Sequence, residues 1–174
     1  MKIKWGVVFV LGILSVQAQA QWKTRVESEA FPKATYAIMT GMDGKDRGIE
    51  IGCESGTTTL SLLKQQNGQS YGHAEQDSRE TYAMRLTIGK ETLELDFALA
   101  NQRNDGYIAF EDQDYLTTQH ALYLIRNAKA PIELAVQSDL GPVRVTIPAA
   151  GARKAADTLS RVCHDDLRYG AWKP

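Results

Sequence analysis

The sequence predicts a mainly β protein of the α+β class: an antiparallel β-sandwich or curved sheet with a C-terminal helix tied onto it by a disulfide. Three observations carry this expectation. Alternating apolar and polar runs recur from residue 22 to residue 111, separated by turns that contain glycine. Helical periodicity occurs only twice, late in the chain, and does not alternate with strands as a doubly wound α/β fold would require. The chain holds two cysteines, Cys53 and Cys163, and each falls on the apolar side of its element.

Ahead of the strands stands "MKIKWGVVFVLGILSVQAQA". Lys2 and Lys4 form a positive start, Trp5 to Val16 an apolar stretch, and Ala18-Gln19-Ala20 a small-x-small cleavage pattern, which together read as a signal peptide. A membrane anchor is the competing reading, but the apolar run falls short of the roughly 20 residues of a spanning helix. No cysteine follows it to carry a lipid anchor, and no later segment is apolar enough to span. The expected organisation is a signal peptide at 1–20, a single β-rich domain at 21–166 and a C-terminal tail at 167–174. The expected location is periplasmic or secreted, an oxidising compartment. A domain of this size buries most of the surface of its unfolded chain without help from a metal.

Twenty Lys and Arg face twenty-one Asp and Glu, for a formal charge of −1, and the signs are interspersed. There is no basic stripe, so no nucleic-acid partner is expected.

The strands follow in order. "WKTRVES" (22–28) alternates imperfectly, and "TYAIMTG" (35–41) leads into the Asp43-Gly44 turn signal. "GIEIGCES" (48–55) places Ile49, Ile51 and Cys53 on one face and Glu50, Gly52 and Glu54 on the other. "TTTLSLL" (57–63) completes a tight hairpin with it. Residues 64–80 are polar with scattered glycine and read as an exposed loop. In "YAMRLTIGKETLELDFALA" (82–100) two alternating runs meet at Gly89-Lys90; Met84, Leu86 and Ile88 share a face, as do Leu93, Leu95 and Phe97. "GYIAFE" (106–111) is a further short strand.

Residues 117–129 then place Ala121, Leu124, Ile125 and Ala128 on one helix face, with Thr117 or Thr118 as the N-cap and Pro131 beyond the end. "IELAVQS" (132–138) and "VRVTIP" (143–148) are two more strands. The last helix carries Ala152, Ala155, Ala156, Leu159 and Cys163 along one stripe.

Both cysteines therefore point inward, and export makes a Cys53–Cys163 disulfide the leading expectation over two buried thiols. The bridge would close a loop of roughly 110 residues, for which chain entropy suggests about 4–5 kcal/mol as an upper figure. Reactive roles have little support. Cys163 and His164 are helical neighbours pointing about 100° apart. The three histidines, His73, His120 and His164, show no zinc spacing with either cysteine, and C-x-x-C is absent.

Other candidates are weaker. "GCESGTT" lacks the G-x-S-x-G of a nucleophile elbow, so Ser55-Gly56 reads as a turn. His73, Asp77 and Ser78 can be assembled into a triad only on paper. Glu111, Asp112 and Asp114 could suit calcium, but the EF-hand spacing is missing and a solvated turn ahead of a helix is the simpler account. Trp22 and Trp172 flank the expected mature chain. No catalytic, metal-binding or cofactor-binding residues are assigned.

Trp22, "IEIGC" (49–53) and "VRVTIPAAGARKAADTLSRVC" (143–163) together resemble the outline of small periplasmic bacterial proteins with one disulfide, of two kinds: invasion-associated locus B-like proteins and the type VI secretion-associated proteins of the VasI/TagO kind. "AIMTGMDGKDR" (37–47) is a loose counterpart of the segment that precedes the cysteine strand in them. The resemblance implies a non-enzymatic envelope protein. The expected function is accordingly a binding or accessory role through contacts with another envelope or secreted protein, with loops 41–48 and 64–80 as the places to look. A small-ligand carrier and a small secreted hydrolase using His73 or His120 are the alternatives.

Overall fold

A computed structural model describes residues 22–28, 35–44, 46–54, 57–66, 81–138 and 141–163. Residues 1–20, where a signal peptide is expected, Ser55-Gly56, His73, Asp77, Ser78, His164 and the tail 167–174 with Trp172 lie outside the described residues, as does most of the 64–80 loop.

Among the described residues, nine strands form one antiparallel sheet: β1 (Lys23–Ser28), β2 (Thr35–Asp43), β3 (Arg47–Glu54), β4 (Thr57–Gln65), β5 (Thr81–Ile88), β6 (Glu91–Gln102), β7 (Tyr107–Asp112), β8 (Ile132–Ser138) and β9 (Gly141–Ile147). Their spatial order is β1-β2-β3-β4-β7-β6-β5-β8-β9. Three local meanders, β1 to β4, β5 to β7, and β8 with β9, are thus joined through the non-local pairs β4–β7 and β5–β8. The sheet is curved and open. Its last strand comes round towards β2 and β3, where Arg47 Nη1 donates to the Arg144 carbonyl on β9 across 2.9 Å. Between a sandwich and a curved sheet, the curved sheet is what forms.

Both helices, α1 (Tyr115–Asn127) and α2 (Ala152–Cys163), lie on one face of this sheet and pack against each other. The core sits between. Ile49, Ile51, Leu60, Leu62, Met84, Leu86, Phe110, Leu134 and Val145 from the strands meet Ala121, Leu122, Ile125, Ala156 and Leu159 from the helices, all buried. The period-2 reading of β3 holds: Ile49, Ile51 and Cys53 face the helices. Cys53 is disulfide-bonded to Cys163 at the end of α2, with 6.2 Å between the Cα atoms. The bridge fastens the C-terminal end of the last helix to the sheet.

Trp22 locks the other end of the same packing. Its indole lies over Gly41, where a Cβ would come within 2.9 Å of the ring, and its Nε1 donates to the Pro148 carbonyl across 2.9 Å. Thr24 Oγ1 adds a hydrogen bond to the Ala155 carbonyl of α2. Among the described residues no helix is long and apolar enough to cross a membrane.

Three local expectations need correction. The cap of α1 is Asp114, not Thr117 or Thr118: its carboxylate accepts from the Thr117 N–H at 2.8 Å and the Thr117 hydroxyl at 2.6 Å. The helix starts at Tyr115, ahead of the expected 117. Second, Asp112 is buried rather than part of a solvated turn, and Glu111 is half-buried. Third, Phe97 does not share the face of Leu95. The β5–β6 register shifts between Tyr82 and Met84, and this bulge turns Phe97 outward to 69% exposure while Leu95 stays buried.

Candidate functional site

The face of the sheet opposite the helices carries a row of polar residues that is set by register alone. Thr40 on β2 stands opposite Glu50 on β3, Glu50 opposite Ser61 on β4, and Ser61 opposite Glu111 on β7; the row ends there, since Glu111 faces Leu99 on β6. In a strand, alternate residues share a face, so Glu50 lies between Gly48 and Gly52. Both glycines are closely covered by neighbours. A Cβ on Gly48 would meet Met42 Sδ at 2.5 Å, and one on Gly52 would meet Thr59 Oγ1 at 3.0 Å. The neighbours close over the strand, and Glu50 is left 8% exposed.

A buried carboxylate needs partners. Arg103 supplies the first: its Nη1 lies 2.5 Å from Glu50 Oε1, and its Nη2 lies 2.9 Å from Asp105 Oδ2. Thr40 Oγ1 donates to Glu50 Oε2 at 3.3 Å. Burial works against the Arg103 charge, but the hydrogen bond and charge of Glu50, helped by Asp105, outweigh it and raise its pKa above the ordinary value. The Tyr36 hydroxyl is also pushed up, first by burial and then by the Glu50 charge, with Arg103 partly offsetting. Beside this group Asn101 Nδ2 donates to Glu111 Oε2 at 2.6 Å.

Arg103 comes from the β6–β7 turn, and that turn belongs to a cluster of loops. Asp105 Oδ1 accepts from the Tyr107 N–H at 3.3 Å, Arg103 N–H donates to the Tyr107 carbonyl at 2.8 Å, and Gly106 takes a left-handed φ of 86°. The Gln65 N–H donates to the Asp46 carbonyl of the β2–β3 hairpin at 2.7 Å, and the Gln66 N–H to the Gly106 carbonyl at 2.8 Å. Gln102 Nε2 adds a bond to Gln66 Oε1 at 3.0 Å. Among the described residues, three connections therefore meet at one end of the sheet, through Asp46 of the β2–β3 hairpin, Gln66 after β4, and the turn 103–106. The first two are the loops the sequence pointed to.

Elsewhere, α1 begins over a second polar group. Gln119 Nε2 donates to Thr58 Oγ1 at 2.9 Å, and the Thr118 hydroxyl reaches the Thr58 carbonyl at 3.2 Å. Asp112 accepts from the Asp114 N–H at 2.8 Å and from the Phe97 backbone. Burial raises its pKa above the ordinary carboxyl value, these backbone donors notwithstanding. Tyr115 and Leu116 are exposed in the first turn of α1. Glu111 and Asp112 point to opposite faces of β7, and Asp114 is committed to its helix cap. Among the described residues no three His, Cys, Asp or Glu side chains are grouped to hold a metal ion. His120 lies on the exposed side of α1.

The Glu50–Arg103 pair was not legible beforehand. A Glu between two glycines in an otherwise apolar strand was the available sign, but nothing in the sequence tied it to Arg103. No family model, curated protein or solved structure matches this chain.

Proposed function

We propose that the protein is an exported, non-enzymatic binding or accessory module of the bacterial envelope, which contacts another envelope or secreted protein through the loop end of its sheet. The observation that carries this reading is the convergence of Asp46, Gln66 and the turn 103–106, whose Arg103 pairs with Glu50. Loops held by a rigid sheet are where recognition residues most often sit. The turn is anchored to β3 by a nearly buried charge pair, so its exposed residues Asn104 and Asp105 are presented in a set position. Preorganisation of this kind lowers the ordering cost of binding.

The signal-peptide pattern and the disulfide, which is at home in an oxidising compartment, support the location. The outline shared with the invasion-associated locus B-like and VasI/TagO kinds supports the non-enzymatic reading.

The test is a crosslinked pull-down of the tagged protein from its own cell envelope, read by mass spectrometry. One dominant partner is expected, lost when Asp46→Lys and Asn104→Arg are combined. Absence of any protein above background, or a partner indifferent to those changes, overturns the assignment of this surface.

A further inference from the structure

β1 is an edge strand, paired with β2 on one side. Among the described residues no strand pairs with its other side. Open edges invite another strand, and proteins usually blunt them with charge. Here the charges are arranged with a symmetry of their own. In "KTRVES" Val26 has Arg25 before it and Glu27 after it, and Thr24 and Ser28 flank these in turn. Lys23 and Glu29 continue the pattern in the sequence. Val26 is 46% exposed, unusual for an apolar residue of this sheet. Arg25 and Glu27 are exposed and form an ion pair along their own strand.

We infer that β1 is a homodimerisation edge, which pairs antiparallel with β1 of a second copy about a two-fold axis beside Val26. In that register Val26 faces Val26 of the partner subunit. Arg25 of each copy stands across from a Glu27, and Thr24 across from a Ser28. Directly opposed residues of an antiparallel pair lie close enough for such contacts to stabilise it. A two-fold interface of this kind is self-complementary by construction.

The same charges select against the alternatives. Moving the register by two residues either way opposes Arg25 to Arg25 or Glu27 to Glu27, and in-register parallel pairing opposes every charge to its like. A shift by one residue sets one copy's helix-bearing face against the other's polar face. Val26 shares the face of Thr24, which bonds to α2, so the Val26 contact would extend the helix-covered side of the sheet across the seam. This inference is independent of the partner surface at the loop end.

Sedimentation of the purified, disulfide-intact protein across a concentration series tests it. A reversible monomer–dimer equilibrium is expected. Arg25→Glu alone and Glu27→Arg alone each turn two attractive cross-strand pairs into repulsive ones and should weaken the dimer about tenfold or more. The double exchange Arg25→Glu with Glu27→Arg should restore it. Val26→Cys should give a symmetric disulfide-linked dimer on mild oxidation. A protein that stays monomeric at every concentration and gives no Val26→Cys dimer overturns the inference. So does a dimer that ignores both single exchanges.

Discussion

Arg103, in the turn from β6 to β7, reaches Glu50 in the middle of β3, with 2.5 Å between Nη1 and Oε1, although β4 and β7 separate β3 from β6 in the sheet. The side chain of Glu50 is 11% exposed and that of Arg103 27%, so the acid is the member that depends on the pair. Removing one partner of such a pair strands the other, and the stranded charge is the costly one. Arg103→Met should destabilise the protein by about 2–4 kcal/mol in urea unfolding. Glu50→Gln should cost less, because it leaves the more exposed partner behind. The double variant should cost less than the sum of the two, by about 1 kcal/mol or more.

The disulfide should behave as a fastening for α2. Reduction, or Cys53→Ala with Cys163→Ala, should cost about 2–5 kcal/mol. Hydrogen exchange should rise first near the end of α2, since Thr24 and the α1 contact still hold its start and middle. Thermal melts with and without reductant, beside exchange measured by mass spectrometry, check this.

Gly41 should not tolerate even one carbon. The Cβ of Gly41→Ala would lie 2.9 Å from Trp22 ring atoms, and the ring cannot slide without giving up its bond to Pro148. The expected cost is about 1–3 kcal/mol, as for overpacking in a filled core. Tryptophan emission should move to longer wavelength as Trp22 becomes wetter.

Asp112 and Asp114, two residues apart, should give pH dependences of opposite sign. The Thr117 side chain and backbone hold the Asp114 carboxyl below its ordinary pKa. Its contribution is present above the ordinary carboxylate range and is lost as pH falls through the lowered value. Asp114→Ala should remove about 1 kcal/mol at neutral pH, as helix caps do. Burial raises Asp112, so its contribution is present below the ordinary range and is lost as pH rises through the raised value. Relative to Asp112→Asn, the unaltered protein should lose stability as pH rises from about 4. Unfolding curves for both variants at several pH values separate the two effects.

What was legible depended on whether the deciding interaction was local. Ile49, Ile51 and Cys53 could be placed inward because strand side chains alternate and one face of β3 is apolar. The stripe of α2 was readable for the same kind of reason, with a period of 3.6. The start of α1 was misplaced at Thr117 or Thr118 because Asp114 is as good a cap as either, and only the backbone path out of β7 selects it. Phe97 was misplaced because a bulge breaks the alternation without leaving a mark such as Gly or Pro in its strand.

The sequence by itself determined the strands, the two helices, the β-rich class and the inward direction of both cysteines, since each follows from a repeat of two or 3.6 residues. It also contains the charge symmetry about Val26. Tertiary structure alone decided that β4 pairs with β7 and β5 with β8, and that the sheet curls until Arg47 meets β9. It alone joined Glu50 to Arg103. These are contacts between residues far apart in the chain. Loop-closure entropy differs little among the possible pairings, so the choice rests on which faces fit and which buried charges find a partner.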